Sequence, residues 1–297
     1  MKPYFLLAIF YLMITGCGEN VIEPPVIEPP VIGPEPPVIE SITILEQLQA
    51  NYVLLPEKQV SISVDGRVHA AYTGPSDKYA HGILGDRIEA TQLVVVVDSV
   101  FYELDLEDNY VFEDIRPRLY DVDNDGELEI ITIRTEVSSG AGIVIYKVRD
   151  SQITEYAVLP EIGNRNRWLN PVAINDLDND GIVEIAWIQT PHIGGILKVA
   201  KIAEGTLEAI DEASLYSNHA IGERNLCLSV LTEEASGLKL VYVPNQDRNK
   251  IVGFALINKQ LFDFKEMSQN VDFSMRLKDQ YAFDNIIEDE GNCIFVE

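Results

Sequence analysis

The 297-residue chain carries 48 Asp and Glu against 22 Lys and Arg, a formal net charge of −26, and 46% of its residues are apolar. The charge argues against a nucleic-acid partner, since phosphate binding needs a positive footprint, while the apolar share suffices for a sizeable buried core. Thirteen Tyr and ten Phe among many Val and Ile favour strands over helices.

The first element is an apolar run, Tyr4 to Ile14, behind the single charge of Lys2. It is too short for a membrane-spanning helix, which needs ~20 residues, and suits the apolar region of a signal peptide. It ends in Ile14-Thr15-Gly16-Cys17. Small residues before a cysteine at that point resemble the lipobox of bacterial lipoproteins. The resemblance implies a signal peptide over residues 1–16, cleaved so that Cys17 becomes the acylated first residue and anchors the chain in a membrane. Several acyl chains at one residue make such an anchor effectively stable. Gly18 follows where an inner-membrane retention signal would carry Asp, so the resemblance implies an outer-membrane lipoprotein, with the periplasmic or surface face left open.

Residues 17–41 read as a tether. Positions 21–40, VIEPPVIEPPVIGPEPPVIE, repeat nearly every five residues, and their paired prolines favour polyproline II. At ~3.1 Å per residue, twenty such residues reach roughly 60 Å. Residues 42–297 are then the folded domain.

Two copies of one pattern lie within that domain. RPRLYDVDNDGELEIITI spans Arg116 to Ile133, and NPVAINDLDNDGIVEIAWI spans Asn170 to Ile188. Each reads apolar strand, D-x-D-N-D-G-x-x-E, apolar strand, and Asp176 of the second copy matches Asp121 of the first at a blade-like interval. Carboxylates at positions one, three and five of a tight loop converge on one point, with an acid at nine to close the cage. Six to eight hard oxygen ligands suit Ca²⁺ better than the stricter octahedron of Mg²⁺. Position twelve is Thr132 or Trp187, not the glutamate of an EF-hand.

The loops and their strand flanks resemble the FG-GAP/VCBS repeats of integrin-like β-propellers. The resemblance implies an all-β propeller of four-stranded antiparallel sheets, with a calcium loop between the first two strands of a blade. Carried onto this chain, the ligands of one site are Asp121, Asp123, Asp125, the carbonyl of Glu127, and Glu129. Those of the other are Asp176, Asp178, Asp180, the carbonyl of Ile182, and Glu184. Glu stands at position nine where the family more often has Asp.

Weaker copies flank these two. LSVLTEEASGLKLVYV repeats the position of Gly181 at Gly237, after nearly the same interval, but lacks the alternating aspartates, so no tight metal site is expected there. Upstream, GDRIEATQLVVVV reads as two strands about a short turn. A fainter echo, HGILGDR at 81–87, IGNRNRW at 162–168 and HAIGERN at 219–225, suits entries to innermost strands. Blades are expected near 81–115, 116–160, 170–215 and 220–267. With 42–75 and 268–297 joined as a closing blade the count is five, and without it four.

With Cys17 acylated, Cys227 and Cys293 remain, either disulfide-bonded or with Cys227 a buried thiol. His81 and His219 occupy matching places in the echo, as axial ligands or as satisfied turn residues. No metalloprotease, hydrolase-elbow or phosphate-loop motif is present. These features point to a calcium-binding module or scaffold for a protein or glycan rather than an enzyme. The alternative is an envelope lyase or hydrolase acting on polysaccharide in an axial pocket. Replacing Cys17 with Ser should abolish lipid labelling and lipoprotein processing in cells. Unchanged membrane fractionation and cleavage would refute the anchor.

Overall fold

The computed structural model of the chain describes residues 38–287, which fall within one compact unit beginning at Pro37. The expected signal peptide, Cys17, most of the tether and Cys293 lie outside the described residues. Seventeen strands and two helices are described.

The strands form four four-stranded antiparallel units, each a simple up-and-down meander. The first comprises β1 (Val60–Ile62), β2 (Val68–Ser76), β3 (Glu89–Val97) and β4 (Val100–Asp105). A short strand, β5 (Tyr110–Phe112), leads onward. The second unit is β6 (Arg118–Tyr120), β7 (Glu129–Glu136), β8 (Gly140–Arg149) and β9 (Gln152–Leu159). The third is β10 (Leu169–Asn175), β11 (Glu184–Gln189), β12 (Ile196–Ala203) and β13 (Thr206–Ser214). The fourth is β14 (Val230–Glu233), β15 (Lys239–Pro244), β16 (Ile251–Ile257) and β17 (Gln260–Met267). This is a β-propeller-like fold. β5 pairs with both β3 and β7 and so joins the first two units into one nine-stranded sheet.

Side-chain alternation explains the stacking. On β7 and β8, Ile130, Val144 and Tyr146 pack towards Leu93 and Val95 of the first blade and Phe112 of β5. Their neighbours Ile131, Ile133, Ile143 and Ile145 pack towards Ile174, Ile185 and Trp187 of the third. The other face of the third blade, with Ala186, Ile188 and Val199, meets Leu231, Val241 and Phe254 of the fourth. A sheet buried on both faces needs continuous apolar runs instead of alternation, and IITI, IVIY and EIAWI are such runs.

The two end blades are covered differently. Helix α1 (Val38–Asn51) lays Ile44 and Leu48 on Val94 and Val96 of β3. On the fourth blade, Phe273 and Leu277, the latter opening the short helix α2 (Leu277–Gln280), pack with Val230, Leu240, Tyr242 and Ile251. A joint fifth blade from both chain ends is therefore not formed by the described residues, which give the smaller of the two expected counts. Residues 60–76 instead supply the first two strands of the first blade. Residues 285–287 hydrogen-bond to β14. GDRIEATQLVVVV is also corrected: its apolar part is one uninterrupted strand, β3, and the corresponding hairpin lies earlier, at Ser63–Arg67. Cys227 is buried and disulfide-bonded. Among the described residues no helix is long and apolar enough to cross a membrane.

Candidate metal loops and histidine pocket

Both acidic loops sit where the sequence places them, in the hairpins β6–β7 and β10–β11. Their internal bonding is nearly the same. Asp121 accepts the N–H groups of Asp125 and Gly126 at 3.1 and 2.9 Å, and Asp176 accepts those of Asp180 and Gly181, both at 3.0 Å. Asp125 and Asp180 accept from Glu127 and Ile182 at 2.9 and 2.8 Å. The position-nine carboxylates fold back under the loops, Glu129 onto the Val122 N–H and Glu184 onto the Leu177 N–H, both at 2.7 Å. Gly126 and Gly181 take φ of 89° and 87°, a region that side chains rarely tolerate. Gly237 of the weaker third copy keeps the same turn, at 83°.

The result is two acidic triads that could hold a metal ion, Asp121–Asp123–Glu129 and Asp176–Asp178–Glu184, each offering oxygens within 4.8 Å of one another. Asp125 and Asp180 stand outside these triads, at the outer edge of each loop. Glu129 and Glu184 are buried. Burial pushes Glu184 up to about 8 against the pull of the Leu177 N–H, with Asp178, Asp180 and Asp176 adding to the rise. Burial likewise raises Glu129 to about 7, opposed by the Val122 N–H and by Lys147. Asp178 is raised by burial and by Asp180.

The loops are linked around one rim. Asn124 donates to the carbonyl of Gly181 at 3.4 Å, and Asn179 donates to that of Gly237 at 2.9 Å. Between the first two loops lies a cleft of about 660 Å³ walled by Asp123, Asn124, Gly181 and Ile182, with Lys201 and Glu208 opposite.

One charged residue at this rim was not singled out from the sequence. Lys147 on β8 places its ammonium 2.6 Å from Asp123, 2.8 Å from Asp125 and 3.1 Å from Glu129. Burial opposes its charge, yet the three carboxylates hold it well above the usual lysine range. The signal is present only in strand register, which the sequence pattern of the loop does not contain.

The three echo segments meet at a smaller pocket. The Gly222 N–H donates to the Ile83 carbonyl at 2.9 Å, and the Asn166 N–H donates to the Tyr79 hydroxyl at 3.0 Å. The pocket, about 190 Å³, is lined by His81, Trp168, Thr190 and His192, with the exposed Ile193 and Ile221 at its edge. HGILGDR precedes β3, the third strand of its blade, so the first echo is not an innermost-strand entry as expected.

The imidazoles there are tightly specified. His81 Nδ1 lies 2.5 Å from the buried carboxylate of Glu113, which also accepts from Thr135 at 2.8 Å. Burial raises the Glu113 carboxyl while His81 pulls it down. His219 Nε2 must carry a proton to donate to the Glu223 carbonyl at 2.8 Å. Its Nδ1 therefore accepts, and His192 Nε2 donates to it at 3.0 Å. Burial lowers His192 to about 3 and His219 to about 4, so both are neutral. Trp168 stacks on His192 and donates its indole N–H to the Glu113 carbonyl at 2.9 Å.

Neither a family model nor a curated protein matches the chain. Among solved structures it is similar to a periplasmic gluconolactonase of Pseudomonas aeruginosa, at 16% identity and a TM-score of 0.40, over 71% of this chain and 53% of that one. It is also similar to an exotype rhamnogalacturonan lyase, YesX, at 13% identity and 0.43, over 66% and 43%. A putative 6-phosphogluconolactonase of Bacteroides fragilis gives 13% and 0.30, over 71% and 70%. The chain thus spans about half the length of the first two.

The raised carboxyls have a consequence for metal-free stability. A carboxyl whose folded pKa lies above its unfolded value keeps its proton longer in the folded state, so stability falls as pH rises between the two values. In chelator, the melting temperature should drop between about pH 5 and about pH 8. Glu184→Gln should flatten part of that drop. An equal slope in the variant would show that Glu184 does not carry it.

Proposed function

We propose that this chain is a lipid-anchored, calcium-binding propeller of the FG-GAP/VCBS kind that presents a loop-walled cleft to a protein or glycan partner in the outer membrane. The observation that carries this reading is the cleft itself: residues of both acidic loops line it together with the β12–β13 hairpin. Two ions, one in the Asp121 triad and one in the Asp176 triad, would fix the shape of both loops. The carbonyls of Glu127 and Ile182, with Asp125 and Asp180, are the further oxygens that calcium's larger shell would draw on. Clustered carboxylates with raised pKa values are the electrostatic deficit that a divalent cation relieves.

Extracellular calcium modules bind with Kd of ~10⁻⁴–10⁻³ M. Calcium at about ten times Kd stabilises by roughly 1.4 kcal/mol per site. Millimolar calcium should therefore raise the melting temperature, and Asp178→Asn should remove much of the rise. A melting curve unmoved by calcium, with no calorimetric binding, would end this reading.

A second reading, an envelope lyase or hydrolase acting on polysaccharide, is favoured by one observation. His81 is backed by the buried Glu113 and lines a cavity, which suits a general base. A polysaccharide panel should then yield new reducing ends for a hydrolase or unsaturated ends for a lyase, lost in His81→Ala. No product from any substrate, or product unchanged in the variant, speaks against it.

A further inference from the structure

Two lysines hold the same place in successive blades and end in different surroundings. In the third blade Glu184 pairs across β11 and β12 with Lys201, and Lys201 pairs across β12 and β13 with Glu208. In the second blade Ile130 pairs with Tyr146, so the next pair along is Glu129 with Lys147, and Lys147 lies opposite Thr154 on β9. Each lysine thus stands beside the position-nine glutamate of its own acidic loop. Directly opposed residues on antiparallel strands share a face and interact.

The difference lies in what each lysine faces on the outer strand. Lys201 has Glu208 across from it and its ammonium pairs there, at 3.1 Å. Lys147 has the uncharged Thr154, and its ammonium turns the other way, into the loop, within 2.6 to 3.1 Å of three carboxylates. Glu129 Oε1 and Asp123 Oδ1 are buried in that loop without a hydrogen bond. Glu129 Oε1 has the Lys147 ammonium 3.1 Å away, whereas Asp123 meets it through its other oxygen, Oδ2. In the second loop the ammonium of Lys239 donates to the Asp176 carbonyl at 2.5 Å and to Asn179 Oδ1 at 2.7 Å, but among the described residues no lysine or arginine forms an ion pair with the carboxylates of Asp176, Asp178, Asp180 or Glu184.

We infer that the residue across from the lysine decides which cation its loop takes, so that Thr154 and Glu208 make the two loops a weak and a strong divalent site. The inference rests on the calcium reading. An ammonium among three carboxylates already supplies positive charge where the ion would sit, and the two cannot share that space. The first loop fills only as Lys147 leaves, while Glu208 keeps the second loop open by holding Lys201 outside. The Tyr156 ring, 4.9 Å from the Lys147 ammonium, gives the displaced lysine a neighbouring face.

The test is a calorimetric calcium titration of the full chain in detergent, with changes at the exposed positions Thr154 and Glu208. The wild type should show two sites at least about tenfold apart in Kd. Asp178→Asn should delete the tighter one. Thr154→Glu should tighten the weaker site about tenfold, and Glu208→Thr should weaken the tighter one by a similar factor. Lys147→Met, which removes the ammonium without adding an acid, should match Thr154→Glu. Two equal sites untouched by these exchanges would overturn the asymmetry and leave the calcium reading standing. A gain in Thr154→Glu without one in Lys147→Met would assign the effect to the new carboxylate and overturn the inference. No binding in the wild type or in Lys147→Met would remove both.

Discussion

Two blades of this fold are buried on both faces, and most of the architecture follows from that burial. Flat sheets whose two sides are both apolar cannot meet water, so each must find a partner on either side. Ile130 and Ile131, adjacent in sequence, bury themselves in different interfaces for this reason. The end blades have a bare side to cover, and α1 and the segment around Phe273 and Leu277 cover them. Once the sheets are stacked, their hairpins gather on shared rims. The loops that begin at Asp121 and Asp176 then become neighbours, although a whole blade of chain separates them.

The loops were legible because their chemistry is local. Asp121, Asp123 and Glu129 fall within one short hairpin, and the glycine that permits the turn lies among them. The second through fourth blades were also legible, because their apolar runs recur at the interval that Asp121 and Asp176 mark out. The first blade was misplaced. GDRIEATQLVVVV reads as two strands about a short turn, but Glu89–Val97 forms one strand, β3.

What the pattern could not contain depends on register or on tertiary contact. VIESITI is rich in β-branched residues and reads as extended, yet it begins α1; packing of Ile44 and Leu48 overrides that propensity. Lys147 lies on the strand after the one that Glu129 opens, and only the pairing of the two brings it into the loop. Glu113, Asp114, Arg116 and Arg118 form a charged cluster in sequence that would be taken for a solvated turn. All four are buried, with Arg118 paired to Asp114 at 2.7 Å. His81 and His219 were noticed as matching positions, but the carboxylate behind one and the second histidine beside the other were not.

The chain has two tryptophans, and their positions make the molecule self-reporting. Trp168 is stacked on His192 at the histidine-lined pocket, whereas Trp187 is packed between the second and third blades with its indole N–H unpaired. Both are almost fully buried. Tryptophan fluorescence, excited apart from the tyrosines, therefore has two sources in one core cluster, one beside the pocket and the other at the contact of two blades. The acidic rim holds no indole of its own, so events there reach the tryptophan signal only if they propagate through the stack.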